Sequence, residues 1–243
     1  MEYLSIEKEG PVAVMAWKNE KENQFTTPFM KEILAGLQKL AKDKKVRGVV
    51  ITSALKKYFS TGLHLEWILS QGAKDPKLIK EYLEILHKFI INLTAFPKPL
   101  IAAINGHAVA AGAIMCACMD FRLMREDKGL VALPEVQIDI PFWPGMTAIF
   151  KDILPSGSFR DLAYTGDKFT SEQAMDLGFV DMLCPKDELL PVAIKLAHKL
   201  GQANPETYAA IKLGLRRNVL DIMKKEDPKA IKEFMDRVKK ASA

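Results

Sequence analysis

The stretch Leu100-Ile-Ala-Ala-Ile-Asn-Gly-His-Ala-Val-Ala-Ala-Gly-Ala-Ile-Met-Cys-Ala-Cys-Met119 decides the architecture. Leu100 to Ile104 is an unbroken apolar run of strand length, which predicts a strand buried on both faces. Asn105 to Gly112 is a turn of small residues, and Gly112 to Met119 continues as a helix. A helix that opens on small residues presents free backbone N–H groups, which can stabilise an oxyanion.

The second informative stretch lies downstream, in Ala132-Leu-Pro-Glu-Val-Gln-Ile-Asp-Ile-Pro-Phe-Trp143. Glu135 stands there in largely apolar company, with Leu133, Val136 and Phe142 as neighbours. A carboxylate so placed is poorly solvated when charged, so its pKa rises and it becomes a better base than one in water. One base facing one oxyanion site suits the movement of a proton.

Working outward, Tyr3 to Glu7 and Val12 to Trp17 read as a hairpin turning at Glu9-Gly10-Pro11. Thr27 caps a helix that opens at Pro28, whose apolar stripe runs from Phe29 through Leu40 until Asp43. Val46 to Thr52 reads as a buried strand, and Asp75 caps a long helix that runs from Pro76 until Pro97-Lys-Pro99 stops it. Asp120 to Met124 and Phe179 to Leu183 read as short strands, and Thr170-Ser-Glu-Gln173 has capping-box spacing, closed by Gly178. Helices follow over Asp187 to Leu200 and from the cap-plus-proline pairs Asn204-Pro205 and Asp227-Pro228. Strands alternating with helices predict an α/β core over residues 1–190 and a helical region over 191–243.

The chain has 243 residues, 49% of them hydrophobic, enough for one large core. No apolar run is long enough to span a bilayer and the N-terminus alternates polar with apolar residues, so a cytoplasmic protein is expected. The formal charge of +5 is too diffuse to indicate nucleic acid, though it favours a small anionic ligand. Cys116, Cys118 and Cys184 form an odd set without the spacing of a metal site and read as small buried hydrophobes. No metal is expected.

The chain resembles the crotonase, or enoyl-CoA hydratase/isomerase, superfamily. The resemblance is carried by Lys57-Tyr-Phe-Ser-Thr-Gly-Leu-His-Leu65, Ala102 to Gly112, Asp120, Leu133 to Ile138, and Tyr164 to Gly178 in this order and spacing. It implies a spiral of ββα units, a helical C-terminal region that builds a homotrimer or a dimer of trimers, and acyl-CoA thioesters as substrates with no separate cofactor. In such proteins two backbone N–H groups bind the thioester oxygen, and the matching positions are Leu63 and Ala111. Hydratases of the family use two glutamates. The second matches Glu135, but the first falls on Ile114, which can neither bind nor activate water. Monofunctional Δ3,Δ2-enoyl-CoA isomerases are similar in this respect and carry aromatic residues shortly after the glutamate, as Phe142 and Trp143 do here. The resemblance thus implies conversion of 3-enoyl-CoA to trans-2-enoyl-CoA, with a hydratase or acyl-CoA hydrolase as the alternative. A catalytically silent oligomer that binds CoA or RNA is the reading from outside enzymology.

Lys56 and Lys57 lie where relatives bring the CoA phosphates close, although a lysine pair is commonly a solvated surface. His64, Trp67, Phe142 and Trp143 are candidates to contact substrate, against ordinary core or capping roles. Asp139 is the runner-up to Glu135 and a candidate to reach the pocket, against a turn or capping role; His107 shares the status of His64, and Asp120 is expected to cap or to hydrogen-bond backbone. The pairs Arg216-Arg217 and Lys224-Lys225 read as exposed helix faces or contacts to a neighbouring subunit's CoA. Ser60 and Thr61 lack the surroundings of a hydrolase triad.

Overall fold

The computed structural model describes residues 1–241. Its strands are β1 (Leu4–Glu9), β2 (Val12–Trp17), β3 (Gly48–Ser53), β4 (Tyr58–Ser60), β5 (Leu100–Ile104), β6 (His107–Val109), β7 (Phe121–Arg125), β8 (Leu130–Ala132), β9 (Lys168–Thr170) and β10 (Met182–Cys184). The helices are α1 (Glu20–Asn23), α2 (Thr27–Lys42), α3 (Leu65–Lys74), α4 (Pro76–Thr94), α5 (Ala111–Cys118), α6 (Pro144–Ile153), α7 (Ser156–Thr165), α8 (Ser171–Asp176), α9 (Leu189–Gly201), α10 (Pro205–Leu215), α11 (Arg217–Lys225) and α12 (Asp227–Ala241). The 3₁₀ turn Pro134–Gln137 carries Glu135.

The larger sheet has the order β1-β2-β3-β5-β7-β10, and the smaller one the order β4-β6-β8-β9. Among the described residues only the β1–β2 hairpin and the β8–β9 pair are antiparallel. Parallel neighbours buried on both faces explain why β3 and β5 are wholly apolar or small. One face of the larger sheet packs with Trp17, Phe25, Phe29, Phe59 and Phe89 into the main core, in which Trp17 meets the Phe25 and Phe29 rings edge-on. The other face, with Val12, Val50, Ile101 and Leu123, is covered by Leu189, Ala193 and Ala197 of α9.

Several expected boundaries move. The hydroxyl that caps α2 is that of Thr26, which accepts the Phe29 N–H, so the helix starts one residue earlier. The small-residue turn after β5 contains a three-residue strand, β6, held between β4 and β8. Such a strand is too short to leave a periodicity, and it exists because its neighbours satisfy its backbone. The last strand lies at Met182–Cys184, where it pairs with Leu123–Arg125. Asp75 caps α4 through the Lys77 N–H, Asn204 caps α10 through the Thr207 N–H, and Thr170 with Gln173 forms the capping box of α8. Among the described residues no helix is long and apolar enough to cross a membrane, and all three cysteines are buried thiols.

Candidate active site

The strands β4, β6 and β8 are parallel neighbours, so the chain leaves all three at the same end of the smaller sheet. Leu63, Ala111 and Glu135 each lie two or three residues beyond those ends. Three segments far apart in sequence therefore converge through strand pairing alone, and this convergence creates the site.

The segment after β4 is fixed from below. Asn23 donates its amide to the Phe59 carbonyl at 3.0 Å and to the Ser53 hydroxyl at 2.7 Å, while the Ser60 hydroxyl donates to the Asn23 carbonyl at 2.8 Å. Gly62 then turns with φ +90, a conformation that favours glycine. Phe25 brackets Leu63: its N–H donates to Gly62 O at 2.7 Å, and its carbonyl accepts from His64 N–H at 3.2 Å. The Leu63 N–H lies between these bonds and faces the other way, and among the described residues it has no intramolecular acceptor.

The segment after β6 approaches from the side. Ala110, at φ +51, donates its N–H to Ala132 O at 3.0 Å and sets the first turn of α5. A Cβ at Gly62 would lie 2.8 Å from the Ala111 nitrogen, so the Gly62 turn and the helix start are in direct contact. The Ala111 N–H is the first of α5 and has no acceptor among the described residues, the usual state of a helix N-terminus. Gly112 sits so close to the Ser60 carbonyl that a side chain there would overlap it. Two free donors from adjoining turns are the components of an oxyanion hole.

The segment after β8 brings the carboxylate. Glu135 is 6% exposed, and one of its side-chain oxygens is buried without a hydrogen-bond partner. Burial pushes its carboxyl up to about 7, against a smaller opposing pull from its own backbone N–H. Such a group is half-ionised near neutrality, the condition under which a carboxylate both takes and returns a proton efficiently. Its 3₁₀ turn is held by Ile138 and Ile140, whose N–H groups donate to Glu135 O, and by Gln137, which donates to Thr165 O at 2.8 Å. Leu133 is buried and Phe142 half-buried, whereas Val136, expected to be a wall of the Glu135 environment, is 53% exposed.

Ile114, 2% exposed in the first turns of α5, belongs to the same core cluster as Leu133 and Met146. Phe142 packs against Phe150 and Phe159, Trp143 meets the His87 ring edge-on at 6.2 Å, and Trp67 lies 5.9 Å from the Tyr82 ring. His64 is a cap: its Nδ1 accepts the Trp67 N–H at the start of α3. Lys56 and Lys57 are exposed, with the Lys57 ammonium 4.9 Å from the centre of the Tyr58 ring. His107 is half-buried against Tyr58, and desolvation together with Lys57 lowers its pKa.

The remaining sequence candidates take the following places. Asp139 is exposed at a φ of +56 in the turn after Glu135. Asp120 accepts from the Leu100 N–H and the Tyr208 hydroxyl and pairs with Lys212 at 2.8 Å. Arg216, expected on an exposed face, is buried and paired with Asp152 at 2.6 Å, while Arg217, Lys224 and Lys225 are exposed. Asp227 does not cap its own helix through a bond seen among the described residues: it is fully buried and accepts the Gly145 N–H at 2.7 Å. Asn23 was not foreseen: it stands in the polar run from Lys18 to Gln24, where no sequence signal sets it apart, and only the fold gives it its role at a φ of +53.

Comparison with known proteins agrees with this fold. The Enoyl-CoA hydratase/isomerase family profile matches residues 7–241. The chain is 30% identical over 227 residues to the peroxisomal enoyl-CoA delta isomerase 2 of Arabidopsis thaliana, covering 90% of this chain and 94% of that protein. In fold it is similar to a probable enoyl-CoA hydratase of Mycobacterium tuberculosis, with a TM-score of 0.87, 24% identity and 96% of each chain covered. It is likewise similar to the human mitochondrial delta3-delta2-enoyl-CoA isomerase, with a TM-score of 0.83, 21% identity, and 99% and 100% of the two chains covered. The segments that converge on Glu135, Leu63 and Ala111 therefore sit in a crotonase fold, and the chain belongs to the enoyl-CoA hydratase/isomerase family.

Proposed function

We propose that the protein is an enoyl-CoA Δ3,Δ2-isomerase in which Glu135 alone carries the proton. Moving a double bond from C3 to C2 of an acyl thioester removes a proton from C2, forms a dienolate and returns a proton to C4. One carboxylate within reach of both carbons performs both transfers, a contribution of roughly 10²- to 10⁴-fold. The dienolate oxygen takes hydrogen bonds from Leu63 N–H and Ala111 N–H, each such donor being worth about 2.7–4 kcal/mol. Ile114 stands where a hydratase has its first glutamate, so water is neither bound nor activated there and the conjugated product leaves unhydrated.

The observation that carries this reading is the buried, partly unpartnered Glu135 carboxylate in a site whose other acidic position is Ile114. The name of the Arabidopsis relative supports the same reaction. Trp67, His64, Phe142 and Trp143 are assigned to the acyl side, and Lys56 and Lys57 to the CoA phosphates. The exposed Ile211, Leu213 and Leu215 of α10 would be covered in the proposed homotrimer or dimer of trimers. A cytoplasmic place in fatty-acid oxidation goes with the proposal.

The test is the absorbance change on conjugation of a 3-enoyl-CoA, run beside hydration of a 2-enoyl-CoA, on wild type and Glu135→Gln. Isomerisation lost in the mutant and hydration slow in the wild type are expected. Unchanged isomerisation in Glu135→Gln removes that residue from the role, and hydration as fast as isomerisation favours the hydratase alternative. Acyl-CoA binding without any turnover favours the silent binding protein.

A further inference from the structure

Helix α6 directly follows the segment Glu135–Trp143, and its beginning lacks a cap of its own. Trp143 occupies the cap position without a side-chain hydrogen bond, and Pro144 has no N–H to offer. The first free donor, Gly145 N–H, is taken instead by Oδ1 of Asp227 at 2.7 Å, from a helix 82 positions further along the chain. Asp227 is 0% exposed. Gly145 makes this approach possible: a Cβ there would collide with Met223 and lie 2.5 Å from Oδ2 of Asp227.

The same carboxylate faces the ring that supports Trp143. His87 of α4 lies 3.8 Å from Oδ2 of Asp227, binds Met223 O at 2.8 Å through Nε2, and meets the Trp143 indole edge-on at 73°. The other end of α6 is tied to the C-terminal region as well, through Asp152 and Arg216. The helix is thus clamped at both ends by residues beyond 215; Phe142 packs against Phe150 in its second half, but it is the Asp227 end that runs directly into Trp143.

We propose that Asp227 is a positioning residue: by capping α6 from the start of α12, it fixes Trp143 and the preceding loop and so sets the acyl side of the site. This rests on the assignment of Glu135 and Trp143 made above. A carboxylate at a helix N-terminus is electrostatically favourable, and it stiffens the connection between the base and α6. Burial raises the Asp227 carboxyl to about 6, with Gly145 N–H and His87 pulling it down and Glu226 pushing it up.

The test uses protein labelled with 5-fluorotryptophan, whose three indoles, Trp17, Trp67 and Trp143, give separate fluorine resonances. In Asp227→Ala the Trp143 resonance shifts or broadens while those of Trp17 and Trp67 stay. Turnover of a 3-enoyl-CoA drops about tenfold in kcat, with KM little changed, because the reacting groups are misaligned and the CoA side is untouched. Asp227→Asn, whose amide oxygen still accepts the Gly145 N–H, restores most of both. Asp152→Asn, which loosens the far end of α6, lowers the thermal midpoint but leaves kcat and the Trp143 resonance in place. If Asp227→Ala does not fold, Asp227→Ser, too short to span to Gly145, carries the same expectation.

An unmoved Trp143 resonance in the Asp227 variants, or indistinguishable behaviour of Asp227→Ala and Asp152→Asn, overturns the proposal. A wild-type protein with no turnover sinks the isomerase reading alone, because the fluorine spectra still decide the clamp.

Discussion

Replacing Glu135 with Gln should abolish catalysis and stabilise the fold, both from one cause. Burial raises the Glu135 carboxyl from an ordinary 4.5 to about 7. The folded protein therefore prefers the neutral acid. Its contribution to stability is complete below the unfolded value and is lost as pH rises through the folded one. Carried to about pH 9, that difference amounts to about 3 kcal/mol at most. Gln is isosteric and never ionises, so it escapes this loss. The assay is chemical denaturation of wild type and Glu135→Gln at several values between about pH 5 and pH 9. Asp227, also raised by burial, titrates in both proteins and cancels in the difference. The expected result is a gap that opens in favour of the mutant as pH rises from about 4.5 towards 7 and levels off above it, while kcat/KM of the wild type rises through about pH 7 because the base must be ionised. A gap that stays flat, or a mutant less stable at every pH, would refute the reasoning that Glu135 is held in a poorly solvated site.

Gly62→Ala places a methyl 2.8 Å from the Ala111 nitrogen at a φ of +90, so kcat should fall about 100-fold or more; steady-state kinetics with unaltered kcat would show that the turn does not position the donors. Ile114→Glu should lower isomerisation and introduce measurable hydration of a 2-enoyl-CoA, at a stability cost of a few kcal/mol, roughly, for the buried carboxylate; full isomerisation without hydration would count against Ile114 as the water-excluding wall. Lys212→Met leaves Asp120 without its buried partner, so denaturation should show a loss of about 3–5 kcal/mol with kcat unchanged.

Much of the larger sheet is legible because its signals are local. β5 falls on Leu100–Ile104 as read, since five consecutive apolar or small residues between prolines and a turn leave little choice. The α2, α4, α8 and α10 caps follow from residue types that compete for backbone N–H groups, with Thr26 rather than Thr27 doing so at α2 because two adjacent threonines offer the same hydroxyl. The smaller sheet is not legible in this way. β4, β6 and β8 have three residues each, shorter than any periodicity can reveal, and they exist only through one another. The exposure of Arg216 and the capping role of Asp227 were misread for a related reason, although α12 does start at Asp227. Charged residues are buried only when a partner elsewhere in the chain accepts them, and Asp152 and Gly145 are 64 and 82 positions away.

The candidate site is written in the sequence as what its backbone demands. Both donors are main-chain groups, so the sequence records them as a need for small residues near Leu63 and Ala111 rather than as reactive side chains. Gly62 meets that need with a positive φ and no Cβ. Ala110 meets it less easily, because φ +51 with ψ −128 suits glycine and strains alanine. That strain sits immediately before the Ala111 N–H, and the bond from Ala110 N–H to Ala132 O holds it against relaxation. The donor's direction is therefore coupled to β8, the strand that delivers Glu135. A shift in either half of the candidate site therefore moves the other.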